Sequence, residues 1–109
     1  MKNVDMEEFN RLIEKDKLVV VDFYADWCMP CRFVAPILEK LEKEFDGSVE
    51  FAKVNVDENA ELARMFNISA IPTLIFFHKG KIVDSFVGAL PESMLREEIK
   101  KTLEELWGQ

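Results

Sequence analysis

The sequence is poor in residues that hold metals or staple secreted folds: two cysteines and a single histidine among 109 residues. Structural zinc takes four ligands, so these side chains cannot complete a site within one chain, and only a zinc shared between two chains stays open. Two cysteines are also too few for a secreted disulfide framework. Basic residues are in deficit, 14 against 21 acidic, for a formal net charge of -7. That excludes nucleic acid as a main partner, because phosphate binding needs a basic face. No apolar run approaches membrane-spanning length, and the opening "MKNVDMEEFNRLIEKDK" lacks the apolar core of a secretion signal. No membrane partner is expected, and the cytosol is the expected compartment. Glycine and proline number four each and sit singly, with no repeat, linker or low-complexity tract. The length then suits a single domain over residues 1–109.

What is present is an orderly alternation of elements. Asp5 can cap a first helix, with Glu8 placed to close a capping box and Val4 and Phe9 to form a hydrophobic staple. Leu18 to Ala25, "LVVVDFYA", is short, β-branched and nearly all apolar, the pattern of a strand buried on both sides. Phe33, Ile37, Leu41 and Phe45 recur every four residues, with Val34 and Leu38 beside them. They predict an amphipathic helix ending near Gly47, kinked at Pro36. "VEFAKVNV" (Val49 to Val56) alternates as a strand, and Leu62, Met65 and Phe66 suggest a short helix. Thr73 to Val87 reads as a hairpin turning at Lys79-Gly80. Pro91 suits the first position of a last helix that faces the core through Leu95, Ile99, Leu103 and Leu106. The first half supplies a βαβ unit with parallel strands, and the last two strands are antiparallel. The class is α/β, a sheet covered by helices on both faces.

Both cysteines fall in "WCMPC", Trp27 to Cys31, between the first apolar strand and the following helix. Cys28 is placed at the helix start, where free N–H groups and the positive dipole end favour thiolate over thiol. Cys31 follows one turn later, within reach of a disulfide, and Pro30 fits a first turn that does not need its N–H. A bridge closing so small a loop stabilises little, so the pair reads as redox chemistry rather than a staple.

Two charges sit in apolar strands. Asp22 shares a face with Val20 and Tyr24, and Lys53 shares one with Val49 and Phe51. If the strands are neighbours, both lie on one side of the sheet. A buried carboxyl has a raised pKa and can exchange protons near neutrality, which assigns Asp22 the role of taking the Cys31 proton through a water. For Lys53, an ion pair or a stem reaching for solvent explains the position equally well.

These residues resemble the thioredoxin family. "VDFYADWCMPC" resembles its active-site strand and motif, "KVNVDEN" the strand with its buried lysine, "AIPTLIFF" its cis-proline loop and "FVGAL" its glycine loop. The resemblance implies a thioredoxin fold: a central mixed β-sheet of four to five strands flanked by four helices. It implies that Cys28 and Cys31 cycle between dithiol and disulfide to reduce disulfides in other proteins, with Asp22 and Lys53 supporting the chemistry. It also implies a cis Ile71–Pro72 bond beside Cys28, and an exposed apolar docking rim of Trp27, Met29, Pro30, Ile71, Pro72, Gly88 and Ala89. No organic cofactor or metal is required; a separate thioredoxin reductase returns the electrons, and the chain is expected to be a monomer. Met29 stands where most members have glycine, Tyr24 where tryptophan is frequent, Arg32 where lysine is, and Pro91 where a serine-type cap is usual. Met29 bears on redox potential and partner choice. Two rivals stay open: a glutaredoxin-like or isomerase-like oxidoreductase of more oxidising poise, and a binding module on the same fold whose cysteines do no chemistry.

Overall fold

The computed structural model describes residues 1–108. Its elements run β1 (Lys2–Asn3), α1 (Met6–Ile13), β2 (Leu18–Tyr24), α2 (Met29–Glu44), β3 (Val49–Asn55), α3 (Ala60–Met65), β4 (Thr73–His78), β5 (Lys81–Val87) and α4 (Glu92–Trp107). The five strands form one sheet in the order β1-β3-β2-β4-β5. β1, β3 and β2 are parallel, whereas β4 runs antiparallel to β2, and β5 antiparallel to β4. The fold class is the expected mixed sheet with four helices. The two-residue β1 has no counterpart in the sequence reading, since a pair of exposed residues carries no periodic signal.

Each boundary has a local cause. α1 opens with the full capping box: the Glu8 N–H donates to the Asp5 side chain, and the Glu8 carboxylate accepts the Asp5 N–H. The β4–β5 turn holds Lys79 and Gly80 at φ of 52° and 81°, the left-handed values that a two-residue hairpin demands. α2 continues through Pro36. Pro91 is the N-cap of α4, with extended ψ of 153°, and Glu92 is the first helical residue. The sequence reading therefore placed Pro91 one position too far in; its missing N–H is harmless at either position.

Strand alternation sorts the core into two layers. Val19, Val21 and Phe23 of β2 pack with Phe9 and Ile13 of α1 and Leu62 of α3. Leu18 and Val20 pack with Val34, Leu38 and Leu41 of α2 and Leu95 and Ile99 of α4. Asp22 belongs by alternation to this second face, the one covered by α2. In the first layer Phe9 is fully buried and makes edge contacts with Phe66 and Phe77 at centroid distances of 5.5 and 5.4 Å. Phe33, grouped with the α2 core by its spacing, is instead 68% exposed. At about 100° per residue it lies roughly 100° from Val34, while Leu38, Leu41 and Phe45 fall within about 40° of Val34.

Candidate active site

β2 ends at Tyr24 and the chain turns through Ala25 to Trp27 into α2. The Cys28 N–H donates to the Ala25 carbonyl at 3.2 Å, which closes this turn. Cys28 is the N-cap of α2, and its Sγ accepts the Cys31 N–H at 3.2 Å. The two sulfurs are joined in a disulfide, with Cα atoms 5.3 Å apart. Both cysteines are buried, at 4% exposure, whereas their sequence neighbours Trp27, Met29, Pro30 and Phe33 are exposed. In the reduced state the same N–H and the helix N-terminus would stabilise a Cys28 thiolate. Pro30 occupies the first turn of α2, as its missing N–H allows.

The loop before β4 forms the opposite wall. The Ile71–Pro72 peptide bond is cis, and the Ile71 carbonyl oxygen lies 3.8 Å from Cys28 Sγ. Thr73 Oγ1 donates to the Ala70 carbonyl at 2.6 Å and fixes the loop's shape. The Gly88 N–H donates to the Pro72 carbonyl at 2.8 Å, from a φ of 101° that favours glycine. The seven residues assigned to an exposed rim therefore converge only in part. Trp27, Met29, Pro30 and Ala89 are exposed, and Ile71 and Gly88 are half-buried. Pro72 is buried, a correction to its place in the rim: it supports the wall and does not face solvent.

Asp22 and Lys53 are direct neighbours in the parallel β2–β3 register. Asp22 is 2% exposed, and its Oδ1 has no hydrogen-bond partner among the described residues. Burial pushes its carboxyl up from the usual 3.8 to about 7, and the nearby Lys53 charge only partly offsets this. Lys53 is half-buried, and its ammonium sits 5.2 Å from the Tyr24 ring centroid, a cation–π position. Asp22 and Cys31 line one cleft of about 330 Å³, with Lys53 and Arg32 on its walls. The lining is mostly apolar but carries the charged side chains of Asp26, Arg32 and Lys53 beside Asp22, and the cleft is large enough to admit water.

His78 ends β4, whose register sets Phe77 beside Val19 at the start of β2, so the imidazole lies at the end of the sheet away from the cysteines. There it pairs with Asp16 at 2.8 Å and stacks edge-on with Trp107 at 5.1 Å. Among the described residues, no group of three or more histidine, cysteine, aspartate or glutamate side chains is arranged to hold a metal.

The sequence reading missed one residue here. Asp57 Oδ2 accepts the Trp27 indole N–H at 2.8 Å, and Asp57 is itself set by its own N–H bonding to Asn55 Oδ1 at 2.9 Å. "KVNVDEN" contained it, but nothing local distinguishes a ring anchor from a turn aspartate.

Comparison with known proteins agrees with this geometry. The thioredoxin family model matches residues 1–101. A thioredoxin from Chlorobaculum thiosulfatiphilum is 43% identical over 88 residues, covering 81% of this chain and 82% of that protein. Thioredoxin 1 of Nostoc sp. is 41% identical over 92 residues, covering 84% and 86%. A chloroplastic M-type thioredoxin of Spinacia oleracea is also 41% identical, but this chain spans only 51% of its length. Among solved structures, Plasmodium falciparum thioredoxin superimposes with a TM-score of 0.86 at 38% identity, covering 93% of this chain and 98% of that one. With the sulfurs of Cys28 and Cys31 already bonded where the fold brings strand, helix and proline loop together, the chain belongs to the thioredoxin family and is a thiol–disulfide oxidoreductase.

Proposed function

We infer that the chain works as a protein-disulfide reductase in which Cys28 attacks, Cys31 resolves and Asp22 moves the proton between them. The observation that carries this reading is the shared cleft, which puts a buried carboxyl of pKa about 7 on the same cavity as the resolving sulfur. The Cys28 thiolate attacks one sulfur of a substrate disulfide and expels the other as a thiolate. Asp22, ionised and reached through water, then accepts the Cys31 proton. The Cys31 thiolate attacks Cys28 Sγ, expelling the second substrate thiolate and leaving Cys28–Cys31 oxidised. Two electrons pass to the substrate, and a separate thioredoxin reductase restores the dithiol.

Lys53 tunes Asp22 through its charge rather than meeting the substrate. Trp27, Met29, Pro30, Ile71, Gly88 and Ala89 form the docking surface, with Pro72 holding Ile71 so that its backbone can pair with an extended substrate segment. The 109 residues act as one domain and as a monomer, in a reducing compartment, with the cytosol as the reading that fits the sequence. Nucleic acid and membrane surface are not partners in this reading.

Stopped-flow reduction of a disulfide peptide, with acid quenching to count mixed disulfides, tests the assignments. Cys31→Ser should accumulate a mixed disulfide on Cys28. Asp22→Ala should slow release of that intermediate more than its formation; equal slowing of both steps would remove Asp22 from the proton path. In the wild type, release should accelerate as pH rises through about 7, because the ionised form of Asp22 is the base. Equilibration with a thiol buffer tests direction. A potential below the glutathione poise, roughly -220 to -260 mV, is expected of a reductase, and a higher one would favour an oxidant or isomerase.

A further inference from the structure

A second groove runs from Trp27 along α3 to Ile71, about 310 Å³ in volume. Its shape has a local origin. α3 stops where the Ile68 N–H reaches back to the Ala63 carbonyl at 2.9 Å and the Asn67 N–H to that of Arg64 at 3.1 Å, with Asn67 at a φ of 53°. This closure is the double hydrogen bond that commonly ends helices. It folds the following chain back beside α3, and the small side chains of Ala60 and Ala63 leave the space between them open.

Arg64 is the only charged side chain among the groove's described lining residues. The other arginines each hold a protein acceptor: Arg11 with Glu7, Arg32 with the Asp26 carbonyl, and Arg96 with Glu44 and Glu92. Arg64 has none among the described residues, although Glu61 stands in the first turn of the same helix. Asp57, beside the groove, already accepts the Trp27 indole. The guanidinium is thus exposed, undirected and set in an otherwise uncharged groove that reaches Ile71, whose carbonyl lies 3.8 Å from Cys28 Sγ, on a chain whose net charge of -7 would otherwise repel acidic partners.

We propose that Arg64 is a specificity-determining residue: it selects disulfide substrates that carry an aspartate or glutamate beside the attacked cysteine, on the side lying against α3. The proposal rests on the reductase reading and adds a substrate class to it. A guanidinium and a carboxylate match in charge and in planar, two-bonded geometry, and a lysine at the same substrate position would meet like charge.

Symmetric disulfide-linked peptide dimers are the probe, identical except for glutamate, glutamine or lysine two residues to either side of the cysteine. The reaction consumes one peptide disulfide and the Cys28–Cys31 dithiol and yields two peptide thiols and the protein disulfide, so kcat/KM is read from the oxidised protein. The wild type should favour glutamate over lysine by about threefold to fivefold at low salt, the range of an exposed ion pair, and the ratio should shrink in 0.5 M NaCl. Arg64→Gln should bring the ratio to about one and Arg64→Glu should invert it. Arg11→Gln, on α1 and outside the groove, removes the same charge and should leave the ratio as in the wild type. A preference that survives in both Arg64 variants, that follows Arg11 equally, or that is absent from the wild type overturns the proposal. If the wild type reduces the glutamine peptide without any charge preference, the reductase reading stands and only Arg64 loses its role; if it reduces no peptide, both fail.

Discussion

At the scale of the residue, Asp22 is the position where function and stability pull apart. Its carboxyl is buried and raised to about 7, so the folded chain holds a proton between roughly pH 4 and 7 that the unfolded chain gives up. The unfolded state therefore binds fewer protons in that window, and stability falls as pH rises through it. The full loss above pH 7 is on the order of 4 kcal/mol. Asp22→Asn removes the charge while keeping the shape. It should stabilise the oxidised protein by a few kcal/mol at pH 8 and by little at pH 3.5, as read from urea unfolding at both values. An equal effect at the two pH values would mean that packing, not ionisation, governs the position. Gly88 is a second single-residue constraint. A Cβ there would meet nothing within 4 Å, so Gly88→Ala tests the backbone alone. The φ of 101° should cost about 1–2 kcal/mol in thermal or urea unfolding.

At the scale of the element, the first helix and the hairpin each depend on a few identifiable residues. α1 reaches the sheet through Phe9, whose ring meets Phe66 and Phe77 edge-on in a site with no exposure. Phe9→Ala should cost about 3–5 kcal/mol, because nothing fully collapses into the space of a buried ring. Asp5→Ala, which breaks the capping box at the same helix's start, should cost only about 1 kcal/mol. If denaturant unfolding ranks the two the other way, α1 is held by its cap and not by its packing. The hairpin carries a small misfit, since Lys79 adopts a left-handed φ of 52° without the asparagine or glycine that favours it. Lys79→Asn should therefore raise stability by a few tenths of a kcal/mol, visible as a higher urea midpoint with unchanged slope.

At the scale of the whole molecule, the two-layer core fixes how compact the chain must be. The radius of gyration of 12.8 Å is close to the roughly 13 Å expected of a folded chain this long. On the monomer reading, solution scattering should report a particle of monomer mass at micromolar concentration; a forward scattering twice that value, unchanged on dilution, would contradict it. Much of this architecture was legible beforehand. The strands and helices were readable because a period of two or of 3.6 is written into Leu18 to Tyr24 and into Val34, Leu38 and Leu41. The cysteine pair was readable because its spacing and its strand-to-helix setting are both local. Phe33 and Pro72 were misplaced because apolarity gives no account of whether a neighbour arrives to cover a side chain.

The sequence by itself determined the four helices and the four longer strands, the cap of the first helix, the two sulfurs that react and the carboxyl that interrupts the central strand. All of these follow from residues within a turn or two of one another. Only the tertiary structure decided what those residues meet. It brought Ile71 to Cys28 across a separation of 43 residues and Asp57 to Trp27 across 30. It set Asp22 and Cys31 on one cleft, and it set Arg64 on a groove shared with Trp27 and Ile71. The reason is physical: periodicity states which side chains share a face, but which faces touch is settled by how the strands β1-β3-β2-β4-β5 and the helices on both sides of them close around two cores at once.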